Sequence, residues 1–303
     1  MTIEPIDDAQ VAALLPRRDP AGHKGSFGTV LAICGSLDYA GAGLLAASAA
    51  LRAGAGLAIL AVPASLQPVI AGRVPELVTW GLPEQAPGEV DPSAAVAMIS
   101  ARRADALLVG PGLRPGAASA ALVRALVGPD GAGAERPPAV IDAEALNVLA
   151  EPAHAAWPIG RPAILTPHPG ELARLDGRPP EPDDRSRADR AAALAARSGA
   201  IVVLKGAGTV VAAPDGRLAR SPSRNAALAT GGTGDILAGV IASLLAQGLA
   251  PWDAACAGVH LHARAGERVA ERLGDAGLLA SDLLPELPLV RRSLVMGRSP
   301  VEA

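Results

Sequence analysis

From Gly28 to Ala213, short apolar runs alternate with longer stretches whose apolar positions recur three and four residues apart. A continuous apolar run closed by a small or polar residue predicts a strand buried on both faces. "GTVLAIC" (28–34), "LAILAVP" (57–63), "ADALLVG" (104–110), "PAVID" (138–142), "PAILT" (162–166) and "AIVVLKG" (200–206) all read this way. Between them, "GLLAASAALRAG" (43–54), Ala117–Leu126 and Ser186–Ala196 carry helical spacing. The Pro-Asp-Gly inside "TVVAAPDGRLARS" (209–221) predicts a tight hairpin. After Gly232 the pattern is helical throughout. Strand–helix alternation predicts an α/β fold, a mostly parallel central sheet covered by helices on both faces, with ligands at the C-terminal ends of the strands. No internal repeat is visible. "VGPDGAGAERPP" (127–138) and "DGRPPEPDDRSR" (176–187) read as surface loops rather than linkers, so residues 1–303 are expected to form a single domain with a core over about 20–290.

Composition narrows the function classes. A net charge of −3 with 2% aromatic residues offers neither the electrostatics nor the stacking surface for nucleic acid. "MTIEPIDDAQ" has acids where a secretion signal needs basic and then apolar residues. The uncharged portion of the stretch Ala53–Gly72 contains Pro63, Ser65, Gln67 and Pro68 and reads as strand, turn and helix, not as a membrane span. Cys34 and Cys256 lie in apolar surroundings and are expected to fill core. A soluble, cytoplasmic protein with no membrane partner is the expectation.

The chemistry-bearing residues gather after the strands: "GSLDYAGAG" (35–43), "GPGL" (110–113), "DAEALN" (142–147), "TPHPGEL" (166–172) and "KGAGT" (205–209). "GAGLLA" (41–46) matches a dinucleotide fingerprint, but six residues separate it from its strand and no Asp or Glu lies between Asp38 and Glu76 to hold a ribose. No Walker-type phosphate loop is present. "ATGGTGDILAGV" (229–240) is more informative. Gly231, Gly232 and Gly234 can adopt conformations closed to other residues and precede an apolar helix, so with Thr233 they form a candidate anion hole. Asp235 is either an ordinary first-turn acid or a general base beside a phosphate. Lys205 is either a solvated strand end or a phosphate or nucleotide contact. His168, between two prolines, is a rigid loop residue or a hydrogen-bond donor to substrate. Asp142 and Asn147 are compatible with a metal or water network or with helix capping, and Glu171 with a first-turn acid. His260 and His262 have no ligand partner at metal-binding spacing.

Taken in order, "KGSFGTVLAICGSLDYAGAGLLAASAALRAGAG", "GPGL", "DAEALN", "TPHPGEL", "LKGAGTVV" and "NAALATGGTGDILAGVIASLLAQG" resemble the ADP-dependent NAD(P)H-hydrate dehydratase family of the ribokinase-like superfamily. The resemblance runs from about Lys24 to Ser281. It implies a ribokinase-like fold and the reaction of (S)-NAD(P)H-hydrate (NADHX or NADPHX) with ADP to give NAD(P)H, AMP and phosphate. By motif position it implies that Ala42, Gly112, His168 and Asp235 touch the hydrated nicotinamide nucleotide, with Asp235 catalytic. Lys205, Gly206, Ala207, Gly208, Thr209 and Gly234 would contact ADP. The resemblance further implies Mg²⁺ with the nucleotide, its protein ligands unassigned, a homotetramer, and a separate NAD(P)H-hydrate epimerase acting upstream. Two rivals stand beside it: a small-molecule kinase of hydroxyethylthiazole or pyridoxal type, and a nucleotide sensor without turnover.

Overall fold

The six apolar runs become six neighbouring parallel strands. In chain order the strands are β1 (Glu4–Pro5), β2 (Thr29–Ile33), β3 (Leu57–Pro63), β4 (Val78–Leu82), β5 (Glu84–Ala86), β6 (Glu89–Val90), β7 (Ala106–Val109), β8 (Ala139–Ile141), β9 (Ala163–Leu165), β10 (Ile201–Leu204), β11 (Val210–Ala212) and β12 (Leu218–Arg220). The computed structural model describes residues 2–128, 137–151, 158–180 and 183–297. Among these, ten strands form one sheet in the order β1-β12-β11-β10-β9-β8-β7-β2-β3-β4, and β5 and β6 form a small hairpin. Only β11 runs antiparallel to its neighbours, as the first strand of the expected hairpin, with β12 the second.

The helices are α1 (Asp8–Leu14), α2 (Ala40–Arg52), α3 (Gln67–Ile70), α4 (Pro92–Ser100), α5 (Ala117–Val127), α6 (Glu144–Ala150), α7 (Pro169–Asp176), α8 (Asp184–Ser198), α9 (Thr233–Ala246), α10 (Pro251–Leu273) and α11 (Leu283–Met296). Successive strand residues face opposite sides, so each apolar run feeds two cores. In β2, Val30 and Ala32 join a core built with α1, α2, α9, α10 and α11. Leu31 and Ile33 join the other, built with α4 to α8. The stretch from Ala53 to Gly72 forms β3 and α3, and among the described residues no helix is long and apolar enough to cross a membrane. Cys34 and Cys256 are free and buried.

The edge strands β1 and β4 and the β5–β6 hairpin were not legible in the pattern. β4, "VTWGL", is half covered and mixes polar with apolar positions, so it lacks both strand periodicities. Helix α2 begins at Ala40, so "GAGLLA" lies within it rather than at a strand–helix turn. Gly43 is small for a packing reason: a Cβ there would lie 3.1 Å from Leu60 Cδ1 and 3.2 Å from the Cys34 carbonyl. Residues 129–136 of the first expected loop and 181–182 of the second lie outside the described residues.

Helices α2 and α9 approach closely because α9 carries Gly239 at their contact. A Cβ there would sit 2.1 Å from the Ala46 carbonyl oxygen and 2.9 Å from Ala49 Cβ. Gly239→Ala should therefore destabilise the protein by about 1–3 kcal/mol through overpacking, read as a lower midpoint in urea denaturation.

Candidate active site

The C-terminal ends of the central strands converge through backbone contacts that tolerate no side chain. A Cβ on Gly110, after β7, would meet the Asp142 carbonyl at 1.9 Å, so the ends of β7 and β8 touch main chain to main chain. Gly35, after β2, donates its N–H to the Pro111 carbonyl at 2.8 Å. Gly112 has φ +68°, and a Cβ there would lie 2.7 Å from the Tyr39 carbonyl and 2.8 Å from Ala42 Cβ. Two of the expected substrate contacts, Ala42 and Gly112, are thus brought together. Glycine is required at 112 by both space and backbone angle.

Helix α9 opens at the glycine–threonine segment. Gly232 is its N-cap, with φ +91° and no side chain to cap the first turn, so amides at this end have no intrahelical partner. Among the three glycines of the candidate anion hole only Gly232 takes a positive φ. The expectation that Gly231 and Gly234 use left-handed conformations is therefore not met. Gly234 is small for another reason: a Cβ there would be 3.4 Å from Lys205 Nζ. Thr233 turns its hydroxyl into the loop, with Oγ1 2.9 Å from the carbonyls of both Leu228 and Thr230. It holds the turn by its side chain rather than offering that hydroxyl to a ligand.

Asp235 follows in the first turn of α9, beside a buried group of charges. Lys205 Nζ donates to Asp142 Oδ1 at 2.7 Å and lies 3.7 Å from Glu171 Oε2. Asp142 and Glu171 are 1% and 5% exposed. The solvated strand end is thus excluded for Lys205, whose ammonium is committed to two carboxylates. Burial works against its charge, but Asp142 and Glu171 outweigh burial and hold the Lys205 pKa above its ordinary value. Glu171 is raised, by burial first, with Lys205 opposing. Burial and then the Asp142 charge push Asp235 up to about 7, again against Lys205. Three carboxylates facing one ammonium keep one of them easy to protonate. The same surroundings raise the pKa of the buried Cys34 thiol well above its usual value, by burial and then by Asp235 and Asp142, so Cys34 is no nucleophile here.

His168 is the N-cap of α7. Its Nδ1 accepts from the amides of Gly170 and Glu171 at 3.0 and 3.2 Å, while Glu171 Oε2 accepts from the His168 amide at 2.7 Å. A neutral ring that accepts at Nδ1 carries its proton on Nε2, leaving that N–H to donate. The ring is half-exposed and fills the cap role, and its Nε2 lies 3.5 Å from Glu171 Oε1. Asn147 is not part of this group: its amide is committed to Glu144 and Arg174.

A cavity of about 390 Å³ lies on the β10 side. Lys205, Gly206, Ala207, Thr209 and Gly234 line it, as expected of nucleotide contacts, whereas Gly208 sits behind against Arg220 and Arg224. The wall that sequence reasoning missed comes from Asn225, Leu228, Val259 and His262. His262 Nε2 donates to the Thr233 carbonyl at 2.9 Å, and burial lowers its pKa to about 4, so the ring is neutral. His260, two residues earlier and so on the opposite face of α10, instead pairs with Asp8 at 2.6 Å. Neither contact has a local signal, because the partners are distant in sequence. Among the described residues no three metal-ligating side chains converge.

An uncapped helix end, a cavity and a half-buried acid with a raised pKa, all at the strand ends of a parallel sheet, suit an α/β protein of phosphoryl chemistry. A ribokinase-like superfamily protein from Enterococcus faecalis shares this fold at TM-score 0.80 and 24% identity, over 96% of both chains. Residues 30–289 match the family model of NAD(P)H-hydrate dehydratase. An ADP-dependent (S)-NAD(P)H-hydrate dehydratase of Xanthomonas campestris is 39% identical over 93% of this chain and 94% of its own. A structure of the ADP/ATP-dependent NAD(P)H-hydrate dehydratase of Bacillus subtilis, co-crystallised with ATP and Mg²⁺, superposes at TM-score 0.81 with 32% identity, over 97% of this chain and 99% of that one. A bifunctional NAD(P)H-hydrate repair enzyme of Moorella thermoacetica is 43% identical over 92% of this chain but 52% of its own, so the chain spans about half the length of such relatives. The chain belongs to the NAD(P)H-hydrate dehydratase family.

Removing one member of the charge group exposes its energetics. Lys205→Met should cost about 3–5 kcal/mol in urea denaturation, because Asp142 and Glu171 are left buried and unpaired. Asp235 works in the other direction. A carboxyl whose pKa rises on folding holds its proton more tightly in the native state, so its ionisation destabilises the fold as pH climbs from about 4 to about 7. Asp235→Asn should accordingly raise the melting temperature at about pH 8 and leave it nearly unchanged at about pH 4.

Proposed function

We propose that the protein dehydrates (S)-NAD(P)H-hydrate to NAD(P)H with ADP as phosphoryl donor, releasing AMP and phosphate. The observation that carries this reading is Asp235, a partly buried acid with its pKa raised to about 7, three residues after the uncapped N-cap Gly232 of α9. A base poised near working pH, beside amides able to bind a phosphoryl group, suits transfer to a hydroxyl. Family membership supplies the substrate class.

In this reading Asp235 takes the proton of the C6 hydroxyl while its oxygen attacks the β-phosphorus of ADP. The new O–P bond forms as the bond to the α-phosphate oxygen breaks, and AMP leaves. The ring nitrogen then pushes out phosphate, which departs with the C6–O electron pair, and loss of a proton from the adjacent ring carbon restores the double bond. Hydroxide is a poor leaving group and phosphate a good one, which is why phosphoryl transfer serves a dehydration. The amides at Gly232 to Gly234 stabilise charge on the transferring group, an effect worth about 3–4 kcal/mol per donor in comparable sites. His168 donates from Nε2 to the substrate, and Ala42 and Gly112 give it a close-packed floor. Gly206, Ala207 and Thr209 flank ADP, with Lys205 restrained by its carboxylates.

Bound with the nucleotide, Mg²⁺ would supply positive charge against its phosphates. The residues fit it in a restricted sense: Asp142 and Glu171 are hard oxygen donors of the kind Mg²⁺ accepts, but both are engaged by Lys205. They are the residues that would hold the ion beside the nucleotide. We further propose that residues 1–303 act as one domain, that the protein is cytoplasmic and homotetrameric, and that a separate epimerase supplies the (S) epimer.

The test is to mix the protein with NADHX, Mg²⁺ and ADP or ATP and follow the returning near-ultraviolet absorbance of reduced nicotinamide. Asp235→Asn should bind ADP normally and lose about 10²–10⁴ in kcat. A stable phosphate ester in place of restored cofactor would establish a kinase instead. Because Asp235 must be ionised to accept a proton, kcat/KM should fall tenfold per pH unit below about pH 7.

A further inference from the structure

A second cavity, of about 310 Å³, lies on the opposite side of the acid group from the nucleotide cavity. It opens between the turn after β2 (Gly35, Ser36), the β5–β6 hairpin and the N-terminus of α5 (Arg114 to Ser119). β2 and β10 are four positions apart in the sheet, about 19 Å at ordinary strand spacing. Asp142, at the end of β8, lies between them. The two cavities therefore flank the reacting centre, and ADP fills only the one beside β10.

The features of this second cavity point to a phosphorylated nucleoside. Its floor is continuous with the substrate contacts: a Cβ on Gly112 would lie 3.2 Å from Gly35 Cα as well as 2.8 Å from Ala42 Cβ. Tyr39, the chain's one tyrosine, does not line the cavity itself, but its carbonyl adjoins both Gly35 and Gly112 and its side chain is 58% exposed. Stacking on a base gives such a ring a use. The N-cap of α5 is Gly116, which offers no side-chain cap, so the amides of that eleven-residue helix's first turn are available to an anion. Independently, Ser36 lines the cavity with a buried hydroxyl that has no hydrogen-bond partner among the described residues. Charges on the rim are one of each sign. Glu89 accepts from Gln85 Nε2, and Arg114 is 3.5 Å from Asp38 in an exposed pair that a phosphate could displace.

We propose that this cavity binds the adenosine-phosphate half of the dinucleotide substrate, with the α5 amides and Arg114 on phosphate and Tyr39 against the base. The assignment rests on the dehydratase reading, since it is that reading which makes the substrate a dinucleotide. It adds a determinant of substrate length that the reacting end does not supply. Binding energy gathered equally in ground and transition states appears in KM and not in kcat.

The test compares hydrated NADH, hydrated NADPH and hydrated reduced nicotinamide mononucleotide, each with ADP and Mg²⁺. Wild-type protein should prefer the dinucleotides by about tenfold or more in KM. Ser119→Trp, which fills the cavity from a half-exposed position, and Arg114→Glu should each collapse that preference about tenfold, with kcat for the dinucleotides held within about twofold. Melting temperatures of both variants check that they fold. A loss confined to hydrated NADPH for Arg114→Glu assigns Arg114 to the 2′-phosphate, and equal losses for the two dinucleotides assign it to the pyrophosphate. Preference retained in both folded variants overturns the proposal while leaving the dehydratase reading intact. Wild-type protein that converts none of the hydrates overturns the dehydratase reading first and the subsite with it.

Discussion

Lys205 sits between Asp142 and Glu171, and the rest of the site depends on that arrangement. The three residues come from the ends of β8 and β10 and from α7, so one ammonium ties together three separately folded segments. Burying these charges is costly, and their mutual attraction compensates only because the distances are short and other hydrogen bonds hold Glu171. Asp235 sits beside the group without an ammonium of its own. It therefore carries the residual electrostatic cost, which is what makes it basic enough to take a proton near neutrality.

That division of labour resolves the apparent conflict of an acid beside a phosphate site. The amides of the α9 N-terminus supply positive potential on one side of Gly232, and Asp235 lies one turn position further, where an acceptor hydroxyl rather than the phosphate would approach. Backbone dipoles stabilise charge as it develops without bringing a full positive charge that would lower the base. Lys205 does pull Asp235 down, but burial and the Asp142 charge outweigh it. With one cavity at β10 and another at β2, the proposed donor and acceptor sites lie on opposite sides of this centre.

Much of the framework was legible in the residues. The six apolar runs are long enough, and free enough of charge, that only strands buried on both faces accommodate them, and Pro-Asp-Gly marks the β11–β12 hairpin. The half-covered edge strand β4 and the two-residue β1 carry too little periodicity to be seen. Asp235 stood out because an acid after three glycines and before an apolar helix has few local explanations. His168 was ambiguous for a good reason: it is a cap with a half-exposed ring, and the local sequence is the same for a cap or a donor.

The sequence by itself determined the alternation of strands and helices, the glycine turns and the position of the single acid at the α9 N-terminus, since these follow from periodicity and from backbone angles local to a few residues. Family resemblance was also carried by local motifs. Tertiary structure alone decided that Lys205 is paired rather than solvated, that Asn147 faces away, that His262 walls the nucleotide cavity and that Asp235 is raised. Apart from Glu144 beside Asn147, the partners lie 27 or more residues away, as the pairing of Lys205 with Asp142 across 63 residues illustrates. Burial and charge coupling act through space, and no local pattern encodes them.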